Sequence, residues 1–347
     1  KLMEKSGGAQ AFGQSAYRYV NTKLKAQLCA WAGGIIIFFS DLGTPLLVGP
    51  VFRPLFDKLK ISREKLAWIL DSTSSPVAIL IPFIGWGVYI MGLIQSEFDN
   101  LGVKASDYTT FVQAIPFQIY AILAIIMIPL IAFTKIDFFQ MKKAEQKAEK
   151  EKADYNFTEH EAEKANTGVY SKKNAKPIMV ILPIIVVFVT LFATLAPLGF
   201  PFKKVDGNEF RVALTMGYFF GALVLILMIC LFKVMNFGET FKVYVGGMKG
   251  MTDVAITLIL AWSLGSMISE LGTAQFIVDV LKSMSFSAAL VPAAIFLFGA
   301  FVSFSTGSSW GTFAIMMPLA IPMAQAFSIP FAIAVGAVLS GGLFGDH

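Results

Sequence analysis

Two aspartates stand alone inside long apolar segments. Asp41 lies within residues 28–52 and is followed by Gly43, Thr44 and Pro45. Asp71 is the single charged residue of 66–94 and is followed by Ser72, Thr73, Ser74, Ser75 and Pro76. An ionised aspartate at the centre of a membrane helix costs about 2.5–3.5 kcal/mol. A chain keeps one there where it faces a cavity, a partner or an ion. Pro76 has no N–H to give the carbonyl of Ser72 and crowds it, which frees backbone oxygen beside the Asp71 carboxylate. Carboxylate, carbonyl and hydroxyl oxygens together are the ligand set of a hard cation. The same carboxylate can take up a proton, so one group could exchange a proton for a sodium ion. A second polar cluster, residues 303–312, contains Ser305, Thr306, Ser308, Ser309 and Thr312 with Gly307 and Gly311. Asp346 and His347 close the chain, a pair suited to proton transfer at membrane depth.

Each feature also has a purely structural explanation. Asp41 could cap a helix N-terminus, and Asp71 could sit at the interface and pair with Lys65 or Arg63. The hydroxyls of 303–312 could bond back to their own helix carbonyls.

The elements that must position these residues are legible as apolar runs. The chain of 347 residues is 56% hydrophobic and 15% charged, where a soluble domain carries about a quarter charged residues. Its mean hydropathy is +0.69. Spans of about 20 residues are expected at 66–94, 111–134, 177–199, 212–232 and the shorter 254–269. An uncharged stretch then runs from Ser283 to Gly345, interrupted at 303–312 and near 328–330. Residues 28–52 are apolar on both sides of 40–45, with halves too short to span at 1.5 Å per residue. Both flanks are basic, so the segment is expected to turn back as a re-entrant hairpin with its tip at 41–45. Walking the topology from there puts Glu97, Asp99 and Asp107 in an outer acidic loop. It puts 135–176, with ten Lys and eight acidic residues, in the cytoplasm as a solvated linker, helical over 139–163. Residues 286–327 then form a second hairpin entering from the opposite side. The expected fold is therefore an all-α polytopic membrane protein over 1–347, an inverted repeat with re-entrant hairpins and broken transmembrane helices.

The net charge of +5 calls for no nucleic-acid partner, because the basic residues fall in loops flanking the spans. Cys29 and Cys230 show neither disulfide framework nor metal spacing. Residue 1 is Lys, and the chain stops inside an apolar segment, so the sequence reads as a fragment truncated at least at its C-terminus.

The ordered combination of 39–50 (Phe-Ser-Asp-Leu-Gly-Thr-Pro-Leu-Leu-Val-Gly-Pro), Arg53-Pro54, 61–67, Asp71-Ser72-Thr73 with Ser75-Pro76, 304–312 and the closing Phe344-Gly345-Asp346-His347 resembles the NhaC-type sodium/proton antiporter family, within the ion-transporter superfamily. Residues 6–12 fit as well, and the resemblance covers nearly the whole chain. It implies sodium/proton antiport by alternating access across a bacterial cytoplasmic membrane. It also leaves open relatives that exchange organic acids of the malate or lactate type, or amino acids. By resemblance, Asp41, Asp71, Asp346 and the cluster from Ser305 to Thr312 fall on motif positions, and Asp41 and Asp71 would ligate the transported sodium. One departure stands out: the family has an acidic pair with an aromatic near the first hairpin tip, whereas Ser40 precedes Asp41 here.

No cofactor is expected beyond transported Na+ and H+. The expected partners are membrane lipid and a small ion or organic-anion cargo, with a homodimer left open. An enzyme would need a nucleophile–base pair or a metal cluster, and neither is apparent. A passive channel fits poorly with titratable groups at helix breaks.

Overall fold

A computed structural model describes residues 2–8, 11, 20–38, 43–150, 172, 174–200 and 207–347. The described residues form helices and no strands, as apolar runs must where only an intrahelical ladder can satisfy the backbone. In chain order the α-helices are α1 (Leu2–Lys5), α2 (Lys23–Ile36), α3 (Gly43–Lys58), α4 (Arg63–Ser72), α5 (Ser75–Ala78), α6 (Gly85–Leu101), α7 (Asp107–Ala114), α8 (Ile119–Thr134) and α9 (Phe139–Lys150). They continue as α10 (Ile178–Leu195), α11 (Gly207–Leu231), α12 (Phe237–Lys249), α13 (Thr252–Glu270), α14 (Thr273–Ser283), α15 (Val291–Thr306), α16 (Ser309–Ala326) and α17 (Phe331–Asp346).

Three segments are long and apolar enough to cross a membrane: Ile178–Leu198, Val212–Leu231 and Ala288–Thr306. Two bent pairs raise the number to five if each is one span. Asp107–Phe117 with Ile119–Thr134 bends by 47°, and Ala255–Ile268 with Thr273–Ser283 bends by 54°. The run expected as one span at 111–134 is thus broken at Gln118. The run at 66–94 is broken too: α4 stops at Ser72, α5 is a single turn, and α6 begins at Gly85.

The chain divides into two compact units. The first comprises Lys1–Val77, Ala124–Val205 and Glu209–Lys249, and the second Ala78–Leu123, Asp206–Asn208 and Gly250–His347. In the first, α2 and α3 fold back on each other: Gly33 lies against Val48 and Phe52, and the Thr44 hydroxyl donates to the carbonyl of Ile37. The core here is Val48, Val51, Phe52, Leu55 and Phe56 against Ile61, Leu66, Ile69 and Leu70. Part of the charged 135–176 region is not simply solvated. The Lys65 Nζ is 2.7 Å from Asp137 and 3.6 Å from Glu145, and Glu145 also accepts the N–H of Ser62. The start of α9 is thereby held on the N-terminus of α4. The expected helix at 139–163 is described over Phe139–Lys150, and the rest lies outside the described residues.

In the second unit α17 packs closely on α15. A Cβ at Gly341 or Gly345 would overlap the carbonyl oxygen of Phe296 or Ala300 respectively. Small residues at Ala337, Gly341 and Gly345 therefore form the four-residue spacing that lets membrane helices approach backbone to backbone. The outer-loop assignment of Glu97 and Asp107 is corrected: Glu97 is in the last turns of α6 and Asp107 at the start of α7, and both are buried. Lack of charge alone would end the span at Ile94, but the helix runs uninterrupted to Leu101 and carries Glu97 on into the packed interior.

Candidate functional site

Asp41 lies outside the described residues. Its neighbour Thr44 is fully buried in the first turn of α3. Thr44 meets the break after α4 at Gly34: a Cβ there would overlap the Oγ1 of Thr73 and lie 3.4 Å from Cγ2 of Thr44. The bare Gly34 backbone is what lets the hairpin and the break come together. Ser72, Thr73 and Ser74 are buried, Ser75 is half-buried, and Asp71 is exposed in the last turn of α4. Lys65 and Arg63 are engaged with other acids, Arg63 forming a two-pronged pair with Asp57 at 2.9 Å. The Thr73 hydroxyl donates to the carbonyl of Ile69 at 2.7 Å, and Ser74 to that of Asp71 at 2.8 Å. Donating its hydrogen in this way leaves a hydroxyl oxygen its lone pairs, so these groups keep the capacity to accept a cation or a proton donor.

The second cluster surrounds a turn between α15 and α16. Gly307 ends α15 with φ +62°, a left-handed conformation that costs glycine nothing. Ser308 caps α16 by accepting the N–H of Gly311 at 3.2 Å. Ser305 donates to Phe301 at 2.7 Å, and Thr312 to Ser308 at 2.9 Å. Thr306 lies 3.4 Å from the carbonyls of Ser303 and Ser308. These hydroxyls largely bond back to their own chain, the plain explanation weighed from sequence. Ser309 and Thr312 are buried in the first turn of α16, while Ser305 and Thr306 are exposed. An aromatic wall closes this end: Trp310 lies 4.9 Å from Trp86 and 4.6 Å from Tyr89 between ring centres, and the Tyr89 hydroxyl donates to the Trp310 carbonyl at 2.9 Å. A capped helix N-terminus is a fitting place for an anionic group.

Asp346 is exposed at the end of α17. The Nδ1 of His347 lies 2.8 Å from the Tyr120 hydroxyl, a hydrogen bond whose donor depends on which ring nitrogen carries the proton. No group of three His, Cys, Asp or Glu that could hold a metal is present among the described residues.

Two buried polar residues show their setting only in the fold. Gln118, at the 47° bend, is wholly buried, and neither its Oε1 nor its Nε2 has a hydrogen-bond partner among the described residues. Glu97 is 4% exposed. Gln118 could have been noticed as one of two amides, with Gln113, in the apolar run 111–134. Glu97 could not, because Gln95, Glu97, Asp99 and Asn100 together look like a loop.

Apolar helices long enough to cross a membrane, with two bent pairs beside them, fit a multi-pass membrane protein. A profile of the Na+/H+ antiporter family matches residues 77–347. An uncharacterised protein of Haemophilus influenzae is 30% identical to this chain, over all of it and 67% of the relative's length. No solved structure matches the chain. The chain belongs to the Na+/H+ antiporter family.

Proposed function

We propose that the protein is an NhaC-type sodium/proton antiporter of a bacterial cytoplasmic membrane, working by alternating access. The observation that carries this reading is the family match over 77–347. The helix breaks after Ser72 and at Gln118 support it, since interrupted helices put free backbone oxygens and polar side chains within the membrane. In this reading Asp41 and Asp71 take the sodium ion, and Thr44, Ser72, Thr73, Ser74 and Ser75 supply neutral oxygens. Ser305, Thr306, Ser308, Ser309, Thr312 and Asp346 supply further polar ligands of the transported ion or cargo.

The test is the collapse of a pH gradient in everted vesicles on adding sodium, with lithium as comparison. Asp71→Asn should reduce sodium-dependent proton flux to below about a tenth of wild type, because an amide neither titrates nor neutralises the cation. Unchanged flux would remove Asp71 from the mechanism.

A second reading, exchange or co-transport of an organic acid or amino acid, is favoured by one feature. The capped N-terminus of α16, with buried Ser309 and Thr312, suits a cargo carboxylate. Malate, lactate and amino acids in the same vesicles discriminate: gradient collapse by these and not by sodium would favour it.

A further inference from the structure

We propose that Glu97 is a cation- and proton-binding carboxylate of the second unit, a site distinct from Asp71. The proposal rests on the antiport reading and deepens it. Glu97 lies on α6, which packs against α7, α13 and α16. A methyl group placed on Gly265 of α13 would stand 3.0 Å from the Glu97 Oε1 and 3.4 Å from Cγ of Pro318 on α16. Glycine at 265 therefore keeps open the space beside the carboxylate that any larger residue would fill. Pro318 is the tenth residue of an 18-residue helix, so the carboxylate sits near the level of that helix's midpoint, far from either end.

The same level is rich in backbone oxygen without its usual donor. Pro318 has no N–H for the carbonyl of Ala314, and Pro322, also inside α16, has none for the carbonyl of Pro318. A buried carboxylate with room left beside it by a glycine can take a desolvated monovalent cation or hold a proton, and the proline-freed carbonyls at the same level of α16 are further candidate ligands.

The charges around Glu97 leave it otherwise uncompensated. Glu97 takes a hydrogen bond from the Asn100 side chain on its own helix, and it makes no ion pair among the described residues. On α6, Asp99 is exposed and accepts from Gln95 at 2.7 Å. On α7, Asp107 accepts the N–H of Tyr108 at 2.8 Å. On α13 the acids are Asp253 and Glu270, at its two ends, and α16 carries no titratable residue. None of these supplies a positive charge, and a buried carboxylate without one must be neutralised by a bound cation or proton.

Two readouts on purified protein in proteoliposomes test this. Labelling of Glu97 by a hydrophobic carbodiimide, read by peptide mass spectrometry, requires a protonated buried carboxyl and should be suppressed by sodium. Glu97→Gln should cut sodium/proton exchange by about tenfold or more, and Glu97→Asp should keep exchange while moving its pH midpoint by about one unit. Absence of labelling, or labelling indifferent to sodium, overturns the proposal. So does a Glu97→Asp protein whose exchange follows the wild-type pH profile. If Glu97→Gln fails to fold, the carbodiimide result on wild type and the Glu97→Asp profile still decide. Wild-type protein without sodium/proton exchange would instead strike the antiport reading itself, an outcome separate from any of these.

Discussion

Lys65 shows how far a single residue's role can depart from its look in sequence. It stands in a basic flank, where a snorkelling or lipid-facing lysine is the ordinary expectation. In the fold it is 4% exposed and lies between Asp137 and Glu145. Removing one partner of a buried ion pair costs about 3–5 kcal/mol, because the other charge is left uncompensated. Both carboxylates here keep some solvent contact, at 14% and 16% side-chain exposure. Lys65→Met should therefore destabilise the protein by about 3 kcal/mol, measured by denaturant unfolding in detergent. Adding Glu145→Gln should return part of the loss, because it removes one stranded charge. A loss within about 0.5 kcal/mol, typical of a surface site, would show that α9 does not depend on this contact. The linkage was invisible in sequence because its partners are separated by more than seventy residues, most of them in apolar runs.

At the scale of elements, the lesson concerns proline. Pro129, Pro183, Pro318 and Pro322 all lie inside helices, whereas the chain breaks near Pro76 and Pro116. Membrane helices tolerate proline when neighbours satisfy the freed carbonyls, so proline alone could not reveal which runs are broken. The break after Asp71 was legible because four hydroxyl residues and Pro76 act together. The one at Gln118 was not, since 111–134 is apolar almost throughout. Gln118 carries an energetic signature that tests the bend. A buried polar group without a partner costs about 1–3 kcal/mol, so Gln118→Leu should raise stability by about 1–3 kcal/mol in thermal unfolding. Destabilisation would mean that the amide is partnered, and that the bend is held by it rather than in spite of it.

At the scale of the whole molecule, composition was enough to give the class. Large apolar side chains remain outermost along the helices, as with Ile119, Leu123, Ile126, Leu130 and Phe133 of α8. A soluble protein does not leave such a stripe in water, and a bilayer covers it without cost. The spans at 177–199 and 212–232 came out nearly as read, because length and lack of charge decide them. Depth was harder. The polar cluster 303–312 is expected at the centre of a hairpin over 286–327, and the segment leading to it, Ala288–Thr306, is itself long enough to cross a membrane. Hydropathy reports where a helix can stand in lipid, and packing decides where its ends fall. The candidate site divides the same way. Asp71 and the hydroxyl clusters were legible as polar residues in apolar runs, whereas Glu97 and Gly265 are brought together only by the packing of α6 on α13.

The pair formed by Trp86 and Trp310 gives this protein an optical property of its own. Two indole rings with centres 4.9 Å apart and planes inclined by 59° share their electronic excitation, so they should contribute a coupled band to the near-ultraviolet circular dichroism. Trp310 is in the first turn of α16, and its ring cannot shift without changing that coupling. Unlabelled protein titrated with sodium, lithium or organic acids should thus report spectroscopically any cargo that moves this helix end. A spectrum identical to that of Trp86→Phe would show that the two rings are not coupled in solution.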